Sequence, residues 1–196
     1  ILMSGTMRPT EMYREVLGIN DCEEEEYKNP FPRQNKLSMI VPLTTTKFTA
    51  RNESQFRNIA ILCARIISIT PGNCAIFFPS YDIKQKVSLH LSTATGKTVF
   101  SEVQKMSKQE KAEFLEKFRS YDNAVMLAVA SGSFGEGIDL PGVLKCVIVV
   151  GLPLKQPDLE TKKTMEYYQE LFRKGWDYGY IFPAISKALQ AAGRCI

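Results

Sequence analysis

Histidine is almost absent from this chain: among 196 residues only His90 carries an imidazole. With no second imidazole to share a metal and no serine or cysteine nucleophile marked beside it, His90 reads as a packed or surface side chain. Cysteine occurs as Cys22, Cys63, Cys74, Cys146 and Cys195, never as a C-x-x-C pair. That scatter argues against a tetrahedral zinc site and a disulfide framework, and a reducing, intracellular compartment is expected. No apolar run approaches the roughly 20 residues of a membrane span, and no basic stretch precedes the first residues as in a secretory signal. A soluble chain with no membrane partner is the expectation, cytoplasmic in a prokaryote or nuclear in a eukaryote. The chain opens on Ile1 rather than Met, which points to a piece of something longer. A complete phosphate loop is lacking as well. Gly96-Lys97-Thr98 has the ending of one, but position 91 is Leu where a glycine is needed, and the tripeptide precedes a strand instead of following one. It reads as a turn.

What is present fits one globular α/β domain. A mass of 22.1 kDa supports one well-buried core, and 44% hydrophobic with 23% charged residues excludes a disordered or fibrous chain. A formal charge of +4 permits a polyanionic partner without demanding one. Residues 1–35 read as a junction segment: a turn at Ser4-Gly5-Thr6, a short helix from Thr10 to about Leu17 ended by Gly18, and a solvated acidic loop around Glu23 to Glu26. Residues 36–196 read as the main domain.

Its predicted elements alternate. Residues 37–42 are expected as a strand, then Asn52 caps a helix, with Gln55 completing a capping-box pattern and Phe56, Ile59, Leu62, Cys63, Ile66 and Ile67 on its inner face. Strands follow at 74–78, 98–101, 124–130 and 145–150. Between them lie a helix burying Ile83, Val87 and Leu91 and another, capped by Ser107 and Glu110, burying Ala112, Leu115 and Phe118. The uninterrupted apolar runs at 124–130 and 145–150 predict parallel strands covered on both faces. The fold class is therefore α/β, a doubly wound parallel sheet with helices on both faces, and ligands should gather past the carboxyl ends of the strands. Residues 44–47, 80–81, 131–139 and 151–155 fall on that edge.

Candidate chemistry sits there. Gly132, Gly135 and Gly137 allow backbone amides to approach a phosphate, and the Asp139 carboxylate could accept from ribose hydroxyls. Gln190 and Arg194, four residues apart, share a helix face. At about 100° per residue, Ile181, Ile185, Ala188, Leu189 and Ala192 form the expected inner stripe, which turns Gln190 and Arg194 outward. A guanidinium is the fork-shaped donor suited to a γ-phosphate. Lys47 and Lys155 add positive charge at the same edge and are candidate DNA contacts.

Taken together the motifs resemble the second RecA-like motor domain of superfamily two helicases, within them the XPD-type 5′-to-3′ DNA helicases. Leu2 to Thr6 looks like motif III, Ala75 to Tyr81 like motif IV, Ser131 to Asp139 like motif V and Gln190 to Arg194 like motif VI. The resemblance spans essentially the whole chain. It implies ATP hydrolysis with Mg2+ in a cleft between two motor domains, single-stranded DNA lying across both, and repair-complex partners in nucleotide excision repair. It implies nucleotide contacts at Gly135, Glu136, Gly137, Asp139, Gln190 and Arg194, with catalytic roles for the last two. DNA contacts are implied at Ser80, Tyr81, Ser131 and Ser133, and interdomain coupling at Ser4 and Thr6. The family's phosphate loop, magnesium acids and iron-sulfur cluster belong to the first motor half, outside this sequence, so the chain alone is expected to be inactive. A second motif VI arginine would fall at position 197, past Ile196. Two rivals stand beside this reading: a non-catalytic binding module on a helicase-like fold, and a nucleotide-dependent transferase, which would need a complete phosphate site.

Overall fold

The computed structural model describes every residue except 29, 136, 137, 139, 155 and 196, and of Arg33 only the backbone. Helix α1 (Thr10–Leu17) ends on Gly18, whose φ of 65° lies in the left-handed region expected of a terminating glycine. Helix α2 (Glu53–Ile69) leads into β1 (Asn73–Phe78), α3 (Tyr81–Ala94), β2 (Thr98–Ser101), α4 (Lys108–Arg119), β3 (Ala124–Val129) and β4 (Leu144–Val149). Helices α5 (Leu159–Phe172) and α6 (Phe182–Ala192) close the chain, separated by a π turn at Asp177–Ile181.

All strand pairs are parallel, in the order β2-β3-β1-β4. The period of two along β1 divides the core. Cys74, Ile76 and Phe78 face α2 and α3, joining Phe56, Ile59, Cys63, Ile67, Ile83, Val87 and Leu91. Ala75 and Phe77 face the other way, onto Phe118 of α4 and Ala191 of α6. Burying one such large side chain contributes about 1.5–3 kcal/mol, so two apolar layers account for a sheet covered on both faces.

Caps set the helix starts. Asn52 accepts from the Gln55 amide at 2.9 Å, and Ser107 with Glu110 forms the reciprocal box. The box at Asn52 is only half made, since Gln55 Oε1 is buried with no partner among the described residues. Four packing expectations need correction. Residues 37–42 form no strand: Leu37, Met39 and Ile40 are exposed irregular backbone, because an apolar pattern becomes a strand only beside a ladder partner. Strand β4 is half-buried beyond Leu144, as the outer strand of the sheet. Ala112 is exposed, and Phe114 instead packs edge-on to Phe100 at 5.7 Å. On α6 the buried residues are Ala184 and Ala191, whereas Leu189 and Ala192 are exposed. Ala184 and Ala191 lie two turns apart on one line of α6, so the line that meets the core is narrower than the apolar face and offset from it.

Helix α1 is tied down by charge. Lys174 Nζ donates to Glu11 at 2.7 Å, to Glu15 at 3.3 Å and to the Tyr178 hydroxyl at 2.9 Å, and that hydroxyl donates to Glu15 at 2.5 Å. The Tyr178 hydroxyl and then Lys174 hold the Glu15 carboxyl below the ordinary carboxylate range, against some opposing desolvation. Glu24 pairs with Arg14 at 3.1 Å and Glu26 with Arg8, which lays the acidic loop along α1.

Candidate functional site

Each strand delivers its following loop to the same edge. Ser80, after β1, caps α3 by accepting from the Ile83 amide at 3.3 Å, which leaves its hydroxyl proton available to an outside acceptor. Tyr81 donates its hydroxyl to Glu102 Oε1 at 2.8 Å. Burial, then the Glu102 bond, pushes the Tyr81 phenol up to about 12, so it stays a donor throughout the working pH range. After β3 the chain folds into successive tight turns, with the Gly132 amide on Val129 O at 2.8 Å and the Gly135 amide on Gly132 O at 3.3 Å. Ser131 is exposed and Ser133 half-buried on this loop.

The loop is pinned from beneath and from the side. Phe134 is wholly buried and stacks on Phe114 at 4.7 Å between ring centroids. A Cβ on Gly135 would stand 1.9 Å from the Ala130 carbonyl oxygen, so only glycine lets the turn close this tightly. The Gly135 and Ile138 carbonyls both accept from Arg194, the first from Nη2 at 3.1 Å and the second from Nη1. Motifs V and VI thus meet through one guanidinium. This corrects the outward orientation expected for Arg194: α6 gives way to a tight 3-10 turn at Gly193–Cys195, which swings the side chain onto the loop, where it is half-buried. Two of its five N–H groups are engaged in these bonds, and the buried Nε has no partner among the described residues.

Gln190 is also half-buried, and its Nε2 reaches Thr6 Oγ1 at 3.5 Å, while Ser4 Oγ lies 3.4 Å from the same oxygen. The motif III-like start therefore lies beside motif VI. Lys47 is exposed, one residue from Thr46, which presses on Gly151 after β4: a Cβ there would meet Thr46 Oγ1 at 2.3 Å. That places residues 46–47 at the expected edge although the strand expected before them is absent. Glu136, Gly137, Asp139 and Lys155 lie outside the described residues.

Three residues escaped the sequence reading. Glu102 and Lys84 are buried at the same edge, and Phe134 anchors the loop. Glu102 carried a usable signal, a carboxylate at the carboxyl end of a strand; the other two read as ordinary helix and loop residues. Lys97 is buried, donating to Thr70 O at 3.0 Å, Gly72 O at 2.6 Å and Asn123 Oδ1 at 2.6 Å, which gives Gly96-Lys97-Thr98 a structural role. His90 sits 2.7 Å from Glu53 Oε1, fastening α3 to the start of α2. Among the described residues no group of three or more His, Cys, Asp or Glu is placed to hold a metal ion. Nor is any described helix long and apolar enough to cross a membrane.

Comparison with known proteins gives the family and the fold. A family model described as "Helicase C-terminal domain" matches residues 63–196. The chain is 26% identical to the general transcription and DNA repair factor IIH helicase subunit XPD/RAD3 of Saccharomyces cerevisiae, over 100% of this chain and 28% of that protein. It is 28% identical to the ATP-dependent DNA helicase XPD of Sulfolobus acidocaldarius, over 100% of this chain and 36% of that protein. Its backbone superposes on a solved XPD helicase with a TM-score of 0.71 at 25% identity, covering 100% of this chain and 36% of the other. The chain thus spans only 28% to 36% of the length of these relatives.

Proposed function

The chain belongs to the helicase C-terminal domain family, and from that premise we propose that it is the second motor domain of an XPD-like, ATP-dependent DNA helicase. In this reading residues 36–196 are the motor domain and residues 1–35 its junction with the first motor domain of the same protein. The chain supplies one wall of an ATP cleft and part of a track for single-stranded DNA, in DNA repair by nucleotide excision. Repair-complex proteins are its further partners, in the nucleus of a eukaryote or the cytoplasm of a prokaryote.

One observation carries the reading: Arg194 bonded to the Gly135 and Ile138 carbonyls, which joins motif VI to the motif V loop at the carboxyl edge of a parallel sheet. The remaining Nη N–H groups are the donors for the γ-phosphate, held in place before nucleotide arrives. Gln190 on Thr6 gives closure of the cleft a route into the junction segment, with Ser4 beside it. Gly135, Glu136, Gly137 and Asp139 complete the nucleotide side. Ser80, Tyr81, Ser131 and Ser133, with Lys47 and Lys155, face the phosphates of the tracked strand. ATP brings Mg2+, whose ligands, like an iron-sulfur cluster, belong to the first motor half.

The half-burial of Arg194 against its own backbone also favours a second reading, a non-catalytic binding module in which the guanidinium is only a strut. Turnover of the full-length protein separates the two. ATP hydrolysis stimulated by single-stranded DNA and lost in Arg194→Ala is expected. A full-length protein that binds the strand yet hydrolyses no ATP would leave the binding module standing.

A further inference from the structure

Glu102 is a carboxylate in the driest part of the ligand edge, with 1% of its surface exposed. A buried charge persists only where hydrogen bonds replace its water, and each donor here comes from a different piece of the edge. Oε1 accepts from the Tyr81 hydroxyl at 2.8 Å and from the Ser133 amide at 2.5 Å; Oε2 accepts from the Val129 amide at 2.7 Å. The Glu102 backbone is fixed too, its amide on Leu127 O at 2.9 Å and its carbonyl accepting from Lys84 Nζ, which also donates to Ser101 Oγ at 2.8 Å. A Cβ on Gly132 would come within 2.5 Å of Glu102 Oε1 and 2.8 Å of the Tyr81 hydroxyl, so the junction leaves no slack. One side chain therefore spans the loop after β1 and the loop after β3, which are separate in sequence and carry Ser80 and Ser133.

We propose that Glu102 is a positioning residue for the single-stranded DNA track, holding the loops of Ser80 and Ser133 as one rigid clamp on the strand's phosphates. The inference rests on the reading of this edge as part of a DNA track. Glu102 itself touches no DNA. It acts through Tyr81, whose hydroxyl donates to it, and through the Ser133 amide, whose direction sets that of the Ser133 hydroxyl. Two contacts on one rigid body are lost together when either fails, whereas contacts on independent loops fail one at a time.

The test is a double-mutant cycle in the full-length protein, read as affinity for a fluorescent oligothymidylate by anisotropy. Ser80→Ala and Ser133→Ala are each expected to weaken binding about tenfold, the effect of one hydrogen bond to a charged phosphate, and the double variant far less than the hundredfold product. In a Glu102→Gln background, where an amide N–H₂ faces either the Ser133 or the Val129 amide, the two effects should become multiplicative. Tyr81→Phe keeps the ring and removes the bond to Glu102, and any phosphate contact of that hydroxyl is lost equally from every arm of the cycle; it should likewise uncouple the two serines, and it decides the matter if Glu102→Gln does not fold. Multiplicative effects in the parent protein, or coupling unchanged in Tyr81→Phe, would overturn the clamp while leaving the track intact. If neither serine alters affinity, the track reading fails, and the clamp with it.

Discussion

Arg194 is the residue whose removal separates scaffold from chemistry most cleanly. Arg194→Ala deletes two hydrogen bonds from a charged donor, to Gly135 O and Ile138 O. Each such bond is worth about 1.5–3 kcal/mol when fully buried. Arg194 is only half-buried, and the vacated space lets water reach both carbonyls, so we expect a net local loss of about 1–2 kcal/mol. Phe134 and the Gly135–Ala130 contact remain, hence the loop should loosen rather than unfold. Hydrogen-deuterium exchange on the full-length protein reads this directly. Amides of the described part of residues 131–138 should exchange about 5- to 30-fold faster, with those of β1 and β3 unchanged. ATP turnover should fall about a hundred- to thousandfold, the usual effect of removing a donor to developing charge, while single-strand binding persists. Arg194→Lys, a point charge able to satisfy one carbonyl, should recover part of the loop's protection and little of the turnover. Loop exchange indifferent to Arg194→Ala would refute the strut. Faster exchange with undiminished turnover would refute the phosphate role instead.

Two other outcomes follow from the same contacts. Lys97→Met leaves the acceptors at Thr70, Gly72 and Asn123 bare, at about 1–3 kcal/mol for a buried unsatisfied group, so the urea midpoint should drop with ATP affinity untouched. Lost ATP affinity at unchanged stability would instead restore Gly96-Lys97-Thr98 as a phosphate site. For α1 the sign of the pH effect is fixed by Glu15, whose folded pKa lies below the ordinary carboxylate range. Its tether therefore contributes stability at neutral pH and loses it as pH falls through that depressed value, with proteolysis within α1 rising accordingly. Tyr178→Phe removes the chief cause of the shift and should move the onset to higher pH; an onset that stays put contradicts the assignment.

How much of this the sequence announced depended on whether the cause was local. The caps at Asn52 and Ser107 and the stop at Gly18 are decided within a few residues, and they stand where the residue types put them. Strands β1 and β3 were legible as unbroken apolar runs because both faces are covered. Residues 37–42 are mostly apolar too but have no neighbour, and a ladder partner is not a property of the segment itself. Which line of α6 meets the core is set by its packing partners and not by its own composition, and Arg194 turned inward through the 3-10 turn beyond it. Glu102 was overlooked because its partners lie 21 to 31 positions away, at Tyr81, Val129 and Ser133. The motifs gave the location of the site; the connections within it are tertiary.

The outer position of β4 bears on how this protein should be handled. Among the described residues no further strand pairs with the far side of Leu-Lys-Cys-Val-Ile-Val, which carries one lysine as its only charge. Natural sheets shield such rims, because an uncovered one templates the addition of a foreign strand. Where that rim is open, a preparation of these 196 residues alone is expected to stack copy upon copy along it, which light scattering against concentration would read. Adding a second lysine on its solvent side is the simplest way to keep the polypeptide monodisperse.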